Sequence, residues 1–319
     1  MWCLALVACE LIVDFDPSTT GSTAQTGDTG RPPVPGPSIV QGTACDGFVP
    51  VLDTPNASID TEFTPLSGPV TFADEDLESL VFGVDTSVVV TVGDVPGPQV
   101  EPPTEGGTVV FAILDGGQLL VVSFCALPDC TDRTIRITLP AAVDRVVGEA
   151  ARGDVTVADA AITDVYVGTS EGDVRVSGDA SGIRAAALDG SVTVDAPSAQ
   201  IVDLHTSTGA LTMTGSATSE LCAISDLGDL DVTVQASERV SLQATNGSID
   251  ADLVSRPRQL DLSLVVGGAE VRLPGGAYDI DLVSIPETGL ILDGIVHDAS
   301  ASDQIVGSSL GTGTRLSAR

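Results

Sequence analysis

Two carboxylates come first among the groups that could do chemistry. Asp231 and Asp250 stand nineteen residues apart in Leu230-Asp231-Val232 and Ile249-Asp250-Ala251, at equivalent places in neighbouring units of a repeat. On stacked strands such residues face each other across about 5 Å. Paired carboxylates at that separation suit glycoside chemistry. A sugar-binding groove also needs aromatic platforms, and the repeat holds only Tyr166 and Tyr278. A solvated acidic face explains the pair equally well, so a carbohydrate-active β-helix stands as an alternative reading and no catalytic residue is assigned.

The other motifs carry less. Gly307-Ser308-Ser309-Leu310-Gly311 spells a serine-hydrolase elbow, but no histidine follows it and no helical periodicity surrounds it. Asp28-Thr29-Gly30, echoed poorly by Asp85-Thr86-Ser87, matches an aspartic-protease triplet inside a segment too polar to form a rigid cleft. His205 alternates with Leu204 and points outward, His297 lies near the C-terminus, and neither has a companion at catalytic spacing. Two histidines without paired CxxC motifs disfavour zinc. The acids of Asp74-Glu75-Asp76-Leu77-Glu78 are sequence-local and read as a solvated turn. No cofactor or metal is expected.

The repeat must position all of this. Glycines recur at Gly153, Gly172, Gly190, Gly209, Gly228, Gly247, Gly267 and Gly289, with spacings of 19, 18, 19, 19, 19, 20 and 22. After each of the first six the second and fourth residues are apolar, from Val155 and Val157 to Ile249 and Ala251, with a polar residue between. Seven residues before each glycine another apolar residue recurs: Val146, Val165, Ile183, Val202, Leu221, Val240, Leu260 and Leu282. This alternation marks half-buried strands, two per unit, meeting at a glycine corner. Units this short cannot each close a core and must stack, which predicts an all-β parallel solenoid of about eight 19-residue rungs. Asp154, Asp173 and Asp229 follow the glycine, whereas Ser191, Ala210 and Ser248 interrupt the column. That pattern reads as relief of like charge rather than a calcium ladder.

Aromatics make up 3% of the chain against 43% apolar residues, so the core must be thin layers of Val, Leu, Ile and Ala. The formal charge of −32 comes from 45 acidic and 13 basic residues, every basic one an arginine. A field of that sign repels phosphate backbones, so no nucleic-acid partner is expected. Leu6-Val7-Ala8-Cys9 resembles a lipobox. No basic n-region precedes it, and the chain reads as starting inside a signal peptide. Lipidation at Cys9 would make the membrane a partner through the N-terminal lipid. If Cys3 is removed, Cys45, Cys125, Cys130 and Cys222 remain. A local Cys125–Cys130 bridge is expected across the turn at Pro128, with Cys45 competing for either partner and Cys222 a buried small hydrophobe. The expected domains are a partial signal peptide at 1–9, a disordered Ser/Thr/Gly/Pro tether at 10–44, an irregular β-rich region at 45–140, solenoid repeats at 141–296 and a frayed C-terminus at 297–319.

Thr134-Ile-Arg-Ile-Thr-Leu-Pro140, leading through Val146 to Gly153-Asp-Val-Thr-Val157, resembles the putative-adhesin β-strand repeat family of bacterial envelope proteins. The resemblance spans about Val88 to Leu292 and is architectural, with no family catalytic residues to carry over. It implies a non-enzymatic envelope protein serving as an adhesin-like binding surface or a scaffold. The lipobox-like start, a departure from the family along with the long tether and the looser spacings near Gly267 and Gly289, adds lipid anchoring at the outer membrane or cell surface. An envelope protein or a polysaccharide would be its partner. A self-assembling envelope rod is the other alternative.

Overall fold

The computed structural model describes residues 64–73, 77–104, 107–125, 133–141, 143–158, 161–236, 238–255, 257–273, 280–284, 303–309 and 314–318. The chain divides into two units, Met1–Gly36 and Pro37–Arg319, and every described residue belongs to the second. All described elements are strands.

The alternation of apolar and polar residues puts each of these segments in extended backbone. They run as β1 (Val70–Thr71), β2 (Ser79–Val84), β3 (Ser87–Val92), β4 (Gln99–Glu101), β5 (Thr108–Asp115), β6 (Gln118–Cys125) and β7 (Thr134–Leu139). Six regular turns follow, each a long strand and a short one: β8 (Arg145–Arg152) with β9 (Val155–Ala158), β10 (Asp164–Glu171) with β11 (Val174–Ser177), and β12 (Gly182–Asp189) with β13 (Val192–Ala196). The remaining three are β14 (Ile201–Thr208) with β15 (Leu211–Ala217), β16 (Glu220–Leu227) with β17 (Leu230–Ala236), and β18 (Arg239–Asn246) with β19 (Ile249–Leu253). The last described elements are β20 (Gln259–Leu273), β21 (Ile280–Ser284), β22 (Asp303–Ser309) and β23 (Thr314–Ala318).

Short strands stack in parallel in sheet A, long strands in parallel in sheet B, in the register set by the glycines: Val155↔Val174↔Val192 in one, Val146↔Val165↔Ile183 in the other. β20 serves both sheets, its first half beside β18 and its second beside β19, bending at Gly267.

The turns do not all stack in chain order. β2 and β3 are flanked by β6 and β7 on one side and by β8 and β9 on the other. The chain therefore lays down the second layer first, steps outward to make the end layer, then returns to propagate the repeat. Residues 79–139, which the sequence presents as irregular, thus supply two further layers. The departure from the 19-residue period reflects the excursion through β4 and β5 between them.

The two sheets close on one continuous apolar core in which Val146, Val155, Val165, Val174, Val192, Val202, Leu211, Leu221 and Val232 are fully buried. Each such side chain withdrawn from water contributes about 1.5–3 kcal/mol. Phe82, the one fully buried aromatic side chain among the described residues, lies over Gly148, where a Cβ would come within 2.2 Å of the ring carbons.

At the corners, glycine is required for two reasons. Gly172 has φ 137°, a region costly for a residue with a side chain. A Cβ at Gly247 would lie 2.0 Å from the carbonyl oxygen of Gly228 one turn below. Stacking itself, as well as dihedral freedom, excludes a side chain. Inward Thr169 and Thr206 donate to the carbonyls of Gly153 and Gly190 at 2.8 and 2.7 Å, so these buried hydroxyls tie two of the corners to the ones before them.

Antiparallel strands occupy both ends of the stack. β4 pairs with β7 and β5 with β6 at one end, while β22 and β23 pair with β20 at the other. Asp303–Ser309 and Thr314–Ala318, within the C-terminal segment, are strands. An uncovered parallel edge is a row of unpaired backbone donors and acceptors, and these strands satisfy it. β21, which carries Leu282, pairs antiparallel with β23, so this segment does not form another parallel turn. Gly289 lies outside the described residues.

Candidate functional site

The outward residues of sheet A come from the third position after each glycine: Thr156, Arg175, Thr193, Thr212, Asp231, Asp250 and Glu270. They are exposed or half-buried. Arg175 pairs with Asp173 at 2.6 Å and Asp154 at 3.5 Å, and Arg272 with Glu270 at 2.6 Å and Asp250 at 3.2 Å. Asp231 and Asp250 do sit opposite each other on β17 and β19, both exposed, with Asp250 held by Arg272. A shallow cleft lies at the β1–β4 end of this face, where Gln99, Glu101, Arg136 and Thr138 line it with Val89 and Thr91.

The acids that follow the glycines perform a task the sequence did not suggest. Ser87 Oγ accepts from Asp154 N–H, Asp154 Oδ1 from Asp173 N–H, Asp173 Oδ1 from Ser191 N–H and Ser191 Oγ from Ala210 N–H, at 2.9–3.3 Å. Ala210 offers no acceptor, and the chain of bonds resumes from Asp229 to Ser248. The Ser248 hydroxyl and amide hold the Asp229 carboxyl below the ordinary range. Ser87 and Ser191 therefore serve as acceptors like the aspartates, whereas Ser248 donates to Asp229.

Sheet B differs. Its outward column, six residues before each glycine, runs Val147, Tyr166, Arg184, Asp203, Cys222, Ser241 and Asp261. Although these side chains face away from the core, Val147 is 3% exposed, Asp203 7%, Cys222 0%, Ser241 3% and Asp261 9%, and Ala186 on the same face 2%. The Arg145 and Arg184 guanidiniums lie 6.0 and 5.4 Å from the Tyr166 ring centre, and Arg184 Nε is 3.8 Å from Asp203 Oδ2. Burial pushes the Asp203 carboxyl up against the opposing pull of Arg184. Burial likewise raises Glu149, with the Ser170 hydroxyl opposing, and raises the Tyr166 phenol, helped by Asp164.

His205 points outward and does have a companion, since its Nε2 lies 3.5 Å from Asp226 Oδ2. The partner comes from the next turn, offset by two residues, which a one-dimensional spacing does not display. Cys222 is disulfide-bonded, as is Cys125, which corrects the reading of Cys222 as a small core hydrophobe. It belongs to the outward column, between Asp203 and Ser241.

Asp85, Thr86 and Ser87 form a corner. Asp85 Oδ2 accepts from Cys125 N–H, Thr86 donates to the Arg133 carbonyl, and Ser87 accepts from Asp154. Ser309 ends a strand rather than a strand-to-helix turn. Cys9, Asp28–Gly30, Cys45, Cys130, Tyr278 and His297 lie outside the described residues. The described residues hold no cluster of three or more metal-ligating side chains.

A family model described as Toastrack DUF4097 matches residues 124–284, just over half of the chain. The chain belongs to the Toastrack DUF4097 family. That span takes in the six regular turns of this Toastrack chain and the strands that flank them. Two crystal structures are similar: a putative adhesin from Bacteroides fragilis (TM-score 0.41, 16% identity, 63% of this chain and 94% of that one) and a putative cell adhesion protein from Clostridium sporogenes (TM-score 0.33, 9% identity, 59% and 82%). No curated protein matches the Toastrack chain.

Proposed function

We propose that this Toastrack chain is a non-enzymatic cell-envelope lipoprotein, anchored through Cys9, whose sheet A outer face is an adhesin-like binding surface. The observation that carries this reading is the openness of that face, where Arg175, Thr193, Asp231 and Asp250 are exposed across successive turns. Of the two acids among them, Asp250 is paired with Arg272.

Seven strands at ~4.8 Å and about five residues of strand length give a surface on the order of 500–600 Å². This is somewhat below the ~800 Å² per partner of a standard interface. A patch of that size and polarity suits a weak, repeated contact with an envelope protein or polysaccharide, strengthened when many anchored copies engage together.

The test compares binding of the lipid-free domain to isolated envelopes and to their purified surface polysaccharide, for the parent and for Thr193→Trp with Thr212→Trp. A bulky pair at the centre of the face should reduce binding at least tenfold with the melting temperature unchanged. Undiminished binding would overturn the assignment of this face. For the anchor, Cys9→Ser should release the protein from the membrane fraction, and retention there would overturn lipidation at Cys9.

A further inference from the structure

Cys222 presents an unusual combination. It points away from the core, it is fully buried, and it is disulfide-bonded. Whatever covers it must bring a second cysteine.

Geometry restricts which one. Cys125 ends β6, and β16, which carries Cys222, lies six strands away through β2, β8, β10, β12 and β14. Six spacings of ~4.8 Å make about 29 Å, far beyond the ~4.4–6.8 Å between the α-carbons of a disulfide. Cys130 is five residues from Cys125 and three from Arg133, whose carbonyl accepts from Ser87 N–H at the same end of the stack. At ~3.5 Å per residue it reaches at most about 18 Å from Cys125. Cys3, Cys9 and Cys45 remain.

We infer that Cys45 is the partner, so that a Cys45–Cys222 disulfide ties the chain N-terminal to the solenoid to the outer face of sheet B. The described chain begins at this sheet, for Leu66 N–H donates to the Val110 carbonyl on β5, the strand beyond β6. From there to β16 is seven spacings, about 34 Å, and the 21 residues back to Cys45 span up to ~70 Å. Cys45 is followed by Phe48, Val49, Val51 and Leu52, apolar side chains suited to cover Val147, Ala186 and Ile224. Cys125 then pairs with Cys130. Setting aside Cys3 and Cys9 rests on the proposed lipid anchor.

Forming the bond removes one hydrogen from each thiol. Two electrons and two protons pass to the active-site disulfide of an exchange oxidoreductase, which leaves as its dithiol. The result is a staple joining the segment below the anchor to the middle of the solenoid.

Digestion of the full-length protein with Asp-N under non-reducing, thiol-blocked conditions tests this. Cleavage before aspartate puts each cysteine of the stack in its own peptide: Asp28–Cys45, Asp115–Pro128, Asp129–Thr131 and Asp203–Ser225, with Cys3 and Cys9 in Met1–Val13. The expected species is Asp28–Cys45 joined to Asp203–Ser225, lighter by two hydrogens than the separate peptides. In Cys45→Ser, the Cys222 peptide should become alkylatable without reductant. Recovery of Asp203–Ser225 joined to Asp129–Thr131, or unlinked in the parent, overturns the staple alone. A link to Met1–Val13 overturns the staple and the anchor together, whereas an unlipidated Cys9 beside an intact Cys45–Cys222 link overturns only the anchor.

Discussion

The two outer faces of this solenoid are built from the same repeat and share a corner, yet one is open and the other closed. On sheet A, Thr193 and Asp231 meet solvent and their neighbours form exposed ion pairs. On sheet B, Asp203 and Cys222, equally outward by alternation, are buried. Period alone sets which way a side chain points. What lies above it decides whether that position behaves as surface or as interior. The proposed binding surface lies on sheet A and the proposed disulfide on sheet B.

Changes in the core should have the largest effect and apply to neither outer face. Val192→Asp puts an unpaired carboxylate between fully buried layers, and the cooperative melting transition should be lost. A transition like the parent's would undo the inward assignment on which both faces depend.

Next comes a pair of substitutions in a single turn. Ala186→Asp on β12 should cost about 3 kcal/mol or more, because that outward position is covered. Thr193→Asp on β13 should stay within about 0.5 kcal/mol of the parent. Equal costs in denaturant titrations would erase the difference between the faces.

A third comparison holds chemistry constant. Removing Arg184 leaves Asp203 buried without its cation, so Arg184→Ala should destabilise by about 3 kcal/mol. Arg175→Ala breaks ion pairs that are about half exposed and should cost under ~1 kcal/mol.

The smallest effect is a pH dependence. The folded-state pKa of Glu149 is raised from its ordinary 4.5 chiefly by burial. Above 4.5 the folded chain binds more protons than the unfolded chain, so the stability due to protonated Glu149 declines as pH rises through its folded value. Glu149→Gln should therefore gain on the order of 1 °C relative to the parent near neutrality and lose that advantage below pH 4.5, as read by melting curves across that range.

Much of the fold was legible because a glycine corner and an apolar alternation are local signals. Val155, Val174 and Val192 announce their inward direction within five residues. The layers at 79–139 were not, because their stacking order departs from chain order and only the pairing of β2 with both β6 and β8 displays it. Nor was the acceptor role of Asp154 and Asp173, since the amide each receives belongs to the next turn. The column Val147, Tyr166, Arg184, Asp203, Cys222, Ser241 and Asp261 held a readable clue. It includes Val147, Tyr166 and Cys222, whereas the equivalent column of sheet A is made of threonine, arginine and acidic residues alone. The burial of the sheet B column is not legible from the alternation, which sets only the direction of each side chain.

Accessibility on the two faces can be measured directly. In otherwise native protein with its disulfides intact, Thr193→Cys and Ser241→Cys each introduce one thiol at an outward position. Thr193 is exposed and Ser241 is 3% exposed. With a maleimide probe, the thiol at 193 should react like a free cysteine and that at 241 at least a hundredfold more slowly. Equal rates would mean that sheet B is as open as sheet A, and would contradict the account.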